Sequence, residues 1–454
     1  MPAQPLLQDS VVIVGSGISG LCLARALARR GVKSAVLEKR SRDAAIGGGA
    51  SIGVFPNGAK CLDELGLLDE VLKFADPLQT ASLWSDGVLL RRRLFPQIVT
   101  RRLGYPILFL RRRILLDILY KDIPEGLVDF FYEKNAKSIK QTPDGVSVLC
   151  GDGTVLRGSL AVGADAVHSV IQSHIRYQAP SHSLRSFSAL PAKSCTEFSC
   201  LFGISKSTDK MTKDTLHQSY NQGFAVTAIS SLKETYWCVY LHELPSERRF
   251  GGDGSGSIEA FLQPILHKRF ACNITLSELL DTASVCHLFP LEERLCEKWY
   301  LGRLVSIGDA VHKMVPSLGQ GGNMAMEDAM SLARSLQELF RFTSHPDSDD
   351  IERCLMAWQT ERFDRVKKAW FTSHRLIRLE TFASTNYYVL ARFILPFLDN
   401  YIANLLCTLF REEDDSKRPE SRVLNAYLPQ VFAPACWMLL LLLALGAYSY
   451  SGVE

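Results

Sequence analysis

The fold is decided by residues 11 to 38: Val11-Val-Ile-Val-Gly15-Ser-Gly17-Ile-Ser-Gly20-Leu-Cys-Leu-Ala24-Arg-Ala-Leu27-Ala-Arg-Arg-Gly31-Val-Lys-Ser34-Ala-Val-Leu-Glu38. An apolar run, a glycine loop, a helical stretch to about residue 30 and a second apolar run make one βαβ unit. In such a unit each glycine has its own task. Gly15 permits the tight turn, Gly17 lets the backbone approach a pyrophosphate, and Gly20 lets helix and strand pack closely. The helix N-terminus then faces the phosphate charge. Glu38, at the end of the second strand, can accept hydrogen bonds from the ribose hydroxyls of an adenosine. Glycines and acid together predict a dinucleotide site, but they do not separate FAD from NAD.

Two later segments bear on that choice. Val305-Ser-Ile-Gly308-Asp309 is an apolar strand ending in Gly-Asp, and Pro316-Ser-Leu-Gly319-Gln-Gly321-Gly322-Asn323 leads from it into a long helix. An Asp so placed can bond a ribityl hydroxyl. The glycines allow the helix to bring its positive end against a flavin pyrimidine ring, where it stabilises the charge of the reduced form. Between these blocks, alternating apolar stretches such as Gly223 to Ser230 and Thr235 to Leu241 predict an antiparallel sheet. The fold class expected is therefore α/β, a Rossmann-like FAD-binding domain with an inserted antiparallel-sheet substrate domain. The boundaries expected are 10–180 and 286–340 for the split FAD domain and 181–285 for the sheet. A helical region at 341–430 and a membrane span at 431–450 follow, with a linker at His345 to Asp350.

Three blocks together resemble the group A flavoprotein monooxygenases of the para-hydroxybenzoate hydroxylase-type fold. They are the glycine loop with Glu38, Gly163-Ala-Asp165-Ala166-Val-His-Ser169, and Gly308-Asp309-Ala through Gly322-Asn323. The resemblance covers about residues 10–340. Within it, Gly49-Ala-Ser-Ile-Gly53-Val-Phe-Pro-Asn-Gly and Leu295-Cys-Glu-Lys298-Trp299-Tyr300-Leu-Gly302-Arg look most like the fungal prenyl epoxidases of meroterpenoid and indole-diterpene biosynthesis. It implies bound FAD, with NADPH as transient reductant and O2 as oxidant. By motif, Glu38 would hold the adenosine ribose, Gly53 would meet the flavin through its backbone, and Arg112 would contact FAD. Asp309 and Gly322 would meet the ribityl chain and the ring. Asp165 belongs to a motif associated with both FAD and NADPH, and Tyr220 would face the flavin cavity as a hydrogen-bond donor. One departure stands out: the family's middle motif reads Asp-Gly, and this chain has Asp165-Ala166. Alanine is strained where glycine is used for a positive φ.

The implied chemistry is transfer of one oxygen atom to an electron-rich acceptor. An alkene needs no deprotonation to accept it, whereas a phenol hydroxylase needs a base near the ring. The sheet region 196–243 offers few acids. The expectation is epoxidation of a prenyl alkene on a polyprenylated aromatic or indole, with a membrane terpene cyclase acting next. The alternatives are an aromatic hydroxylase acting on a soluble phenol and an isoprenoid flavin reductase.

Composition agrees with a folded enzyme: 47% hydrophobic and 22% charged residues exclude a disordered chain. A net charge of +3 gives no bulk signal for nucleic acid. The twelve cysteines show no metal spacing, and reduced thiols in the cytosol are expected. Val431 to Tyr450 carries no charge over about 20 residues, long enough to cross a bilayer core. Arg411, Lys417, Arg418 and Arg422 precede it, which places the catalytic domain on the cytosolic side of a membrane, expected to be the endoplasmic reticulum. The apolar 386–410 stretch is either a collar lying on that membrane or a helical pair packed on the FAD domain.

Overall fold

The computed structural model describes residues 10–47, 49–124, 126–178, 195–242, 262–343 and 345–411. The expected span at 431–450 and the loop before it lie outside the described residues. Strand Ser10–Val14 is buried at every position, as an unbroken apolar run at the centre of a parallel sheet must be. Its neighbours are Lys33–Leu37 on one side and Leu160–Gly163 on the other, both parallel. Val128–Phe131 and Leu304–Ser306 extend the sheet outward, and Tyr300–Leu301 closes one edge antiparallel. Helix Ile18–Ala28 is buried along its whole length and shares the main apolar core with helix Gln320–Phe342.

The second layer is an eight-stranded sheet. Cys195–Lys206, Thr215–Asn221, Phe224–Ser230 and Glu234–His242 form its centre. It reaches beyond 181–285 in both directions. Thr80–Ser85 and Val88–Arg93 add one edge, with Thr80–Ser85 pairing parallel to Thr215–Asn221. Ala283–Leu295 runs without a break across the boundary drawn at 285, because one long strand links the two layers. The edge hairpin turns through Asp86 and Gly87, both at positive φ (49° and 76°). An Asp-Gly turn of this kind matches strand twist.

The polar run at 345–350 is less a linker than a helix start. Asp347 and Asp350 form a reciprocal capping box that opens helix Ser348–Glu380. Beyond it, Asp399–Phe410 buries Ala403, Cys407 and Phe410 in a cluster with Phe55, Phe95 and Val99. Its other flank and the preceding turns leave Tyr388, Val389, Phe393, Phe397 and Leu405 exposed. Among the described residues no single helix is long and apolar enough to cross a membrane. One pair, Thr385–Phe397 with Asp399–Phe410, has the length and composition but bends by 99°.

Candidate active site

Strand register brings the three sequence motifs to one edge. Val14 pairs with Leu37 and with Gly163, and Gly163 pairs with Ser306. The next residues along each strand are Gly15, Glu38, Ala164 and Ile307, leading into Asp165 and Gly308-Asp309. This is the carboxyl edge of a parallel sheet, where open α/β folds bind ligands.

The glycines there divide into two kinds. At Gly15 (φ +104°) an added Cβ would stand 2.4 Å from the Ala164 carbonyl oxygen, and at Gly20 it would stand 2.0 Å from the Gly15 carbonyl oxygen. Those two are required by the protein's own packing. At Gly17 the nearest atom is the Arg112 guanidinium at 4.0 Å, and at Gly321 it is Asp309 Oδ1 at 3.8 Å. The chain itself gives no steric reason for glycine at these positions, but a ligand against the backbone does. Helices Ile18–Ala28 and Gln320–Phe342 both start on glycine with no side-chain cap, so their first N–H groups remain available to an anion or a ring oxygen.

Glu38 is buried and fully engaged. It accepts bonds from Ser16 N (3.1 Å) and Oγ (2.8 Å), and from Arg40 N and Nε (3.0 Å each). Burial opposes its charge, yet these donors hold the carboxyl below its usual range. The basic triplet separates cleanly. Arg111 forks onto Glu234 of the large sheet (Nε to Oε2 2.9 Å), and Arg113 faces Asp117 on its own helix. Arg112 lies across the groove: its stem passes Gly49, and its charge sits in the field of Glu38 and Asp309 while burial lowers its pKa. Asp165 Oδ2 accepts from Val170 N at 2.8 Å, and Oδ1 is buried with no hydrogen-bond partner among the described residues. Burial pushes this carboxyl up. The residue beside it, Ala166, holds φ at +64°, so the turn keeps the glycine conformation without the glycine.

Asp309 pairs with Lys313 at 2.5 Å. A Cβ at Gly322 would press on Ile52, and one at Gly53 on the rings of Phe109 and Phe55. Asn323, a member of the last motif given no role above, ties these parts together. Its Nδ2 donates to Gly53 O (2.9 Å) and its Oδ1 accepts from Phe55 N (2.9 Å). Sequence reasoning also missed the buried ionic network beneath. Asp328 accepts from Gly308 N (3.0 Å), from His312 Nε2 (2.5 Å) and from Arg362 Nε (2.9 Å). Glu327 binds Arg362, Arg365 and Asn57, each at 2.6 Å. These residue types suit an adenosine and flavin dinucleotide. The glycine loop and Arg112 would hold the pyrophosphate, Glu38 the adenosine ribose, Asp309 the ribityl chain, and the start of the 320–342 helix the ring.

Tyr220 lies apart from this groove. It is buried with Leu83, Phe382 and Ala391, on the face of the large sheet that looks toward the FAD domain. On that same face a row of cross-strand partners, Gln218, Thr227, Cys238 and Phe202, runs over the central strands. Three of the four are only half-buried, although their strand neighbours Ser219, Ala228 and Trp237 are buried. Cys238 packs on a cluster holding Ala50 and Val315, residues of the flavin side. This half-open row faces the flavin side; its four central members are uncharged, and its pairing continues through Leu83 to Arg91 at one end and to His287 at the other.

Known proteins agree with this arrangement. A family model described as "FAD binding domain" matches residues 8–364. The FAD-dependent monooxygenase paxM of Penicillium paxilli is 35% identical over 405 residues, covering 87% of this chain and 84% of that protein. The FAD-dependent monooxygenase ptmM of Penicillium ochrochloron is 35% identical over 381 residues, covering 82% and 88%. Among solved structures, HpxO of Klebsiella pneumoniae complexed with FAD and uric acid superposes with a TM-score of 0.72 at 21% identity, over 88% of this chain and 96% of that one. A salicylate hydroxylase substrate complex superposes with a TM-score of 0.66 at 18% identity, over 89% and 98%. At those identities the two structures speak for the fold alone. The family match spans the strand edge and both uncapped helices, so the chain belongs to the FAD-binding-domain family, and its motifs place it with the group A flavoprotein monooxygenases.

Proposed function

We propose that this FAD-dependent monooxygenase epoxidises an alkene in the prenyl tail of a polyprenylated aromatic or indole intermediate, using NADPH and O2. Bound FAD supplies reducing equivalents and activates O2; the chain positions the acceptor and keeps water away. The observation that carries the reading is the half-open stretch of Gln218, Thr227, Cys238 and Phe202: the row ends on His287 beyond Phe202, but these four side chains include no charged base. A phenol would need one and an alkene does not. Phe55 and Phe109 at Gly53 add apolar wall. Fungal relatives carrying the name FAD-dependent monooxygenase support a place in meroterpenoid or indole-diterpene assembly.

The exposed Phe393, Phe397, Tyr388 and Leu405 and the uncharged stretch 431–450 support work at a bilayer, the medium in which a prenyl tail dissolves. In this reading 431–450 anchors the chain with its catalytic part facing the cytosol, and a membrane terpene cyclase consumes the epoxide. The test is incubation of the full chain with NADPH, 18O2 and farnesylated or geranylgeranylated phenols and indoles, followed by mass spectrometry. One 18O on a prenyl carbon is expected. Label on the aromatic ring, or a saturated product without label, overturns the reading.

A further inference from the structure

Helix Ser348–Glu380 ends on a carboxyl with nowhere to go. Glu380 is 0% exposed, and neither Oε1 nor Oε2 has a hydrogen-bond partner among the described residues. No described cation answers it. Arg93 is the buried guanidinium on the far side of Tyr220, and it is taken by Asp399 (3.3 Å) and by Leu395 O (3.1 Å). Arg378, two residues earlier on the helix, turns away to Glu197 and to the His374 carbonyl. The ionisable groups that act on Glu380 are Tyr220, Tyr240 and Cys238, none of them a cation. Burial with no counter-charge pushes the carboxyl well above the usual range, and burial likewise pushes the Tyr220 phenol up. A buried acid in such surroundings keeps its proton. It then has an O–H to donate, and Tyr220 packs against the same helix end, in one cluster with Leu379 and Phe382 on either side of Glu380.

The location gives that proton a use. Tyr220 stands two residues from Gln218 on one strand, so both side chains share a face of the sheet. Across the neighbouring strands Tyr220 pairs with Ala225, and Ala225 with Tyr240. Cys238 is itself part of the half-open floor. We propose that Glu380 is a positioning residue: its carboxylic acid donates to the Tyr220 oxygen and turns the Tyr220 hydroxyl toward the chamber, where it donates to an oxygen of the reacting system. Two neutral donors in series supply a directed hydrogen bond without placing a base beside the acceptor. The use of the pair rests on the chamber reading above, but its protonation state does not.

The experiment compares wild type, Glu380→Gln, Tyr220→Phe and the double variant as full-length, flavin-loaded protein. Two readouts need no substrate. The wild-type-minus-Glu380→Gln infrared difference at pH 8 is expected to show the carbonyl band of a protonated acid, sensitive to D2O. A folded-state pKa above the unfolded value gives stability that is complete below the unfolded pKa and lost as pH rises. The melting temperature of Glu380→Gln should therefore gain on wild type between pH 4.5 and pH 8. The third readout is turnover of the farnesylated and geranylgeranylated probes. Each single variant should lose about tenfold in kcat with KM little changed, and the double variant should lose no more than either. Carboxylate bands, a melting deficit that grows with pH, or multiplicative losses in the double variant overturn the pairing. If no probe is oxygenated, the proposed function falls, while the infrared and melting results still decide the pair.

Discussion

Replacing Asp328 by Asn tests whether the buried ionic network is what holds the flavin-side turn. Asp328 is fully buried and serves three donors on three elements: the Gly308 amide, His312 and Arg362. Asparagine keeps the shape but removes the charge, so Arg362 is left with Glu327 as its one anionic partner while Arg365 competes for it. Breaking a buried pair of this kind costs about 3–5 kcal/mol. With about 2.1 cal/mol/K of unfolding entropy per residue over 454 residues, each kcal/mol moves Tm by about 1 °C, giving a loss of about 3–5 °C at pH 7. The acid side has a definite sign. Burial opposes the charge, but His312 and Arg362 pull the carboxyl down from 3.8 to about 2. The stabilisation is present above the unfolded pKa and lost as pH falls through the folded one, a window of roughly pH 5 to 2 worth about 2–3 kcal/mol. Melting followed by flavin fluorescence from pH 7 to pH 3 should show the gap between the two proteins narrowing with acid. Because the Gly308 amide is left with at best a neutral amide oxygen in place of a carboxylate, the variant should also release flavin more readily. An Asp328→Asn protein as stable as wild type at pH 7, or a gap constant across that range, refutes the argument.

Three further outcomes follow from individual positions. Ala166→Gly should stabilise by about 0.5–1 kcal/mol, since a left-handed alanine costs about 1–2 kcal/mol and the added unfolded-state freedom returns part of that; denaturant midpoints at unchanged slope check it. Gly17→Ala should fold normally and bind FAD weakly, whereas Gly20→Ala should fold poorly; titration of flavin into the apoprotein beside circular dichroism separates the two. Thr227→Phe, on the half-open floor, should keep the flavin spectrum and raise KM for a prenylated probe at least tenfold; unchanged KM would remove the row from the substrate site.

The cofactor half of the site was legible because each of its parts is written in consecutive residues. A glycine loop, Glu38, Gly308-Asp309 and Gly321-Gly322 are local signals, and parallel register brings them to one edge. Local signals also exist for what was passed over. Asp86-Gly87 marks the edge hairpin, and Asp347-Ser-Asp-Asp350 marks a helix start in place of a linker. The chamber floor has no such signal. Gln218, Thr227, Cys238 and Phe202 come from four strands, and only the pairing of those strands makes them neighbours. The same holds for Asp328 with Arg362 and for Glu380 with Tyr220, whose partners lie 34 and 160 positions apart. Periodicity cannot see a contact whose period is the whole fold.

Charge in this protein is distributed with a direction, and that distribution bears on the proposed acceptor. On the FAD edge, Glu38, Arg40, Arg112, Asp309 and Lys313 gather ionised groups where phosphates and riboses would be held. Beneath the helix start, Glu327, Asp328 and Arg362 cancel one another out of contact with solvent, with Arg365 closing the network at its partly exposed edge. Between these lies the opening over the large sheet, whose floor is an amide, a hydroxyl, a thiol and a ring. The acid behind it, Glu380, has no counter-ion among the described residues. A site built to take a proton from a phenol would place a charged or titrating base at this floor, and its field would also bind the phenolate. A floor whose central side chains are neutral donors places no base beside the acceptor and excludes nothing that is apolar. That setting is the one the proposed acceptor, a neutral prenyl alkene, requires.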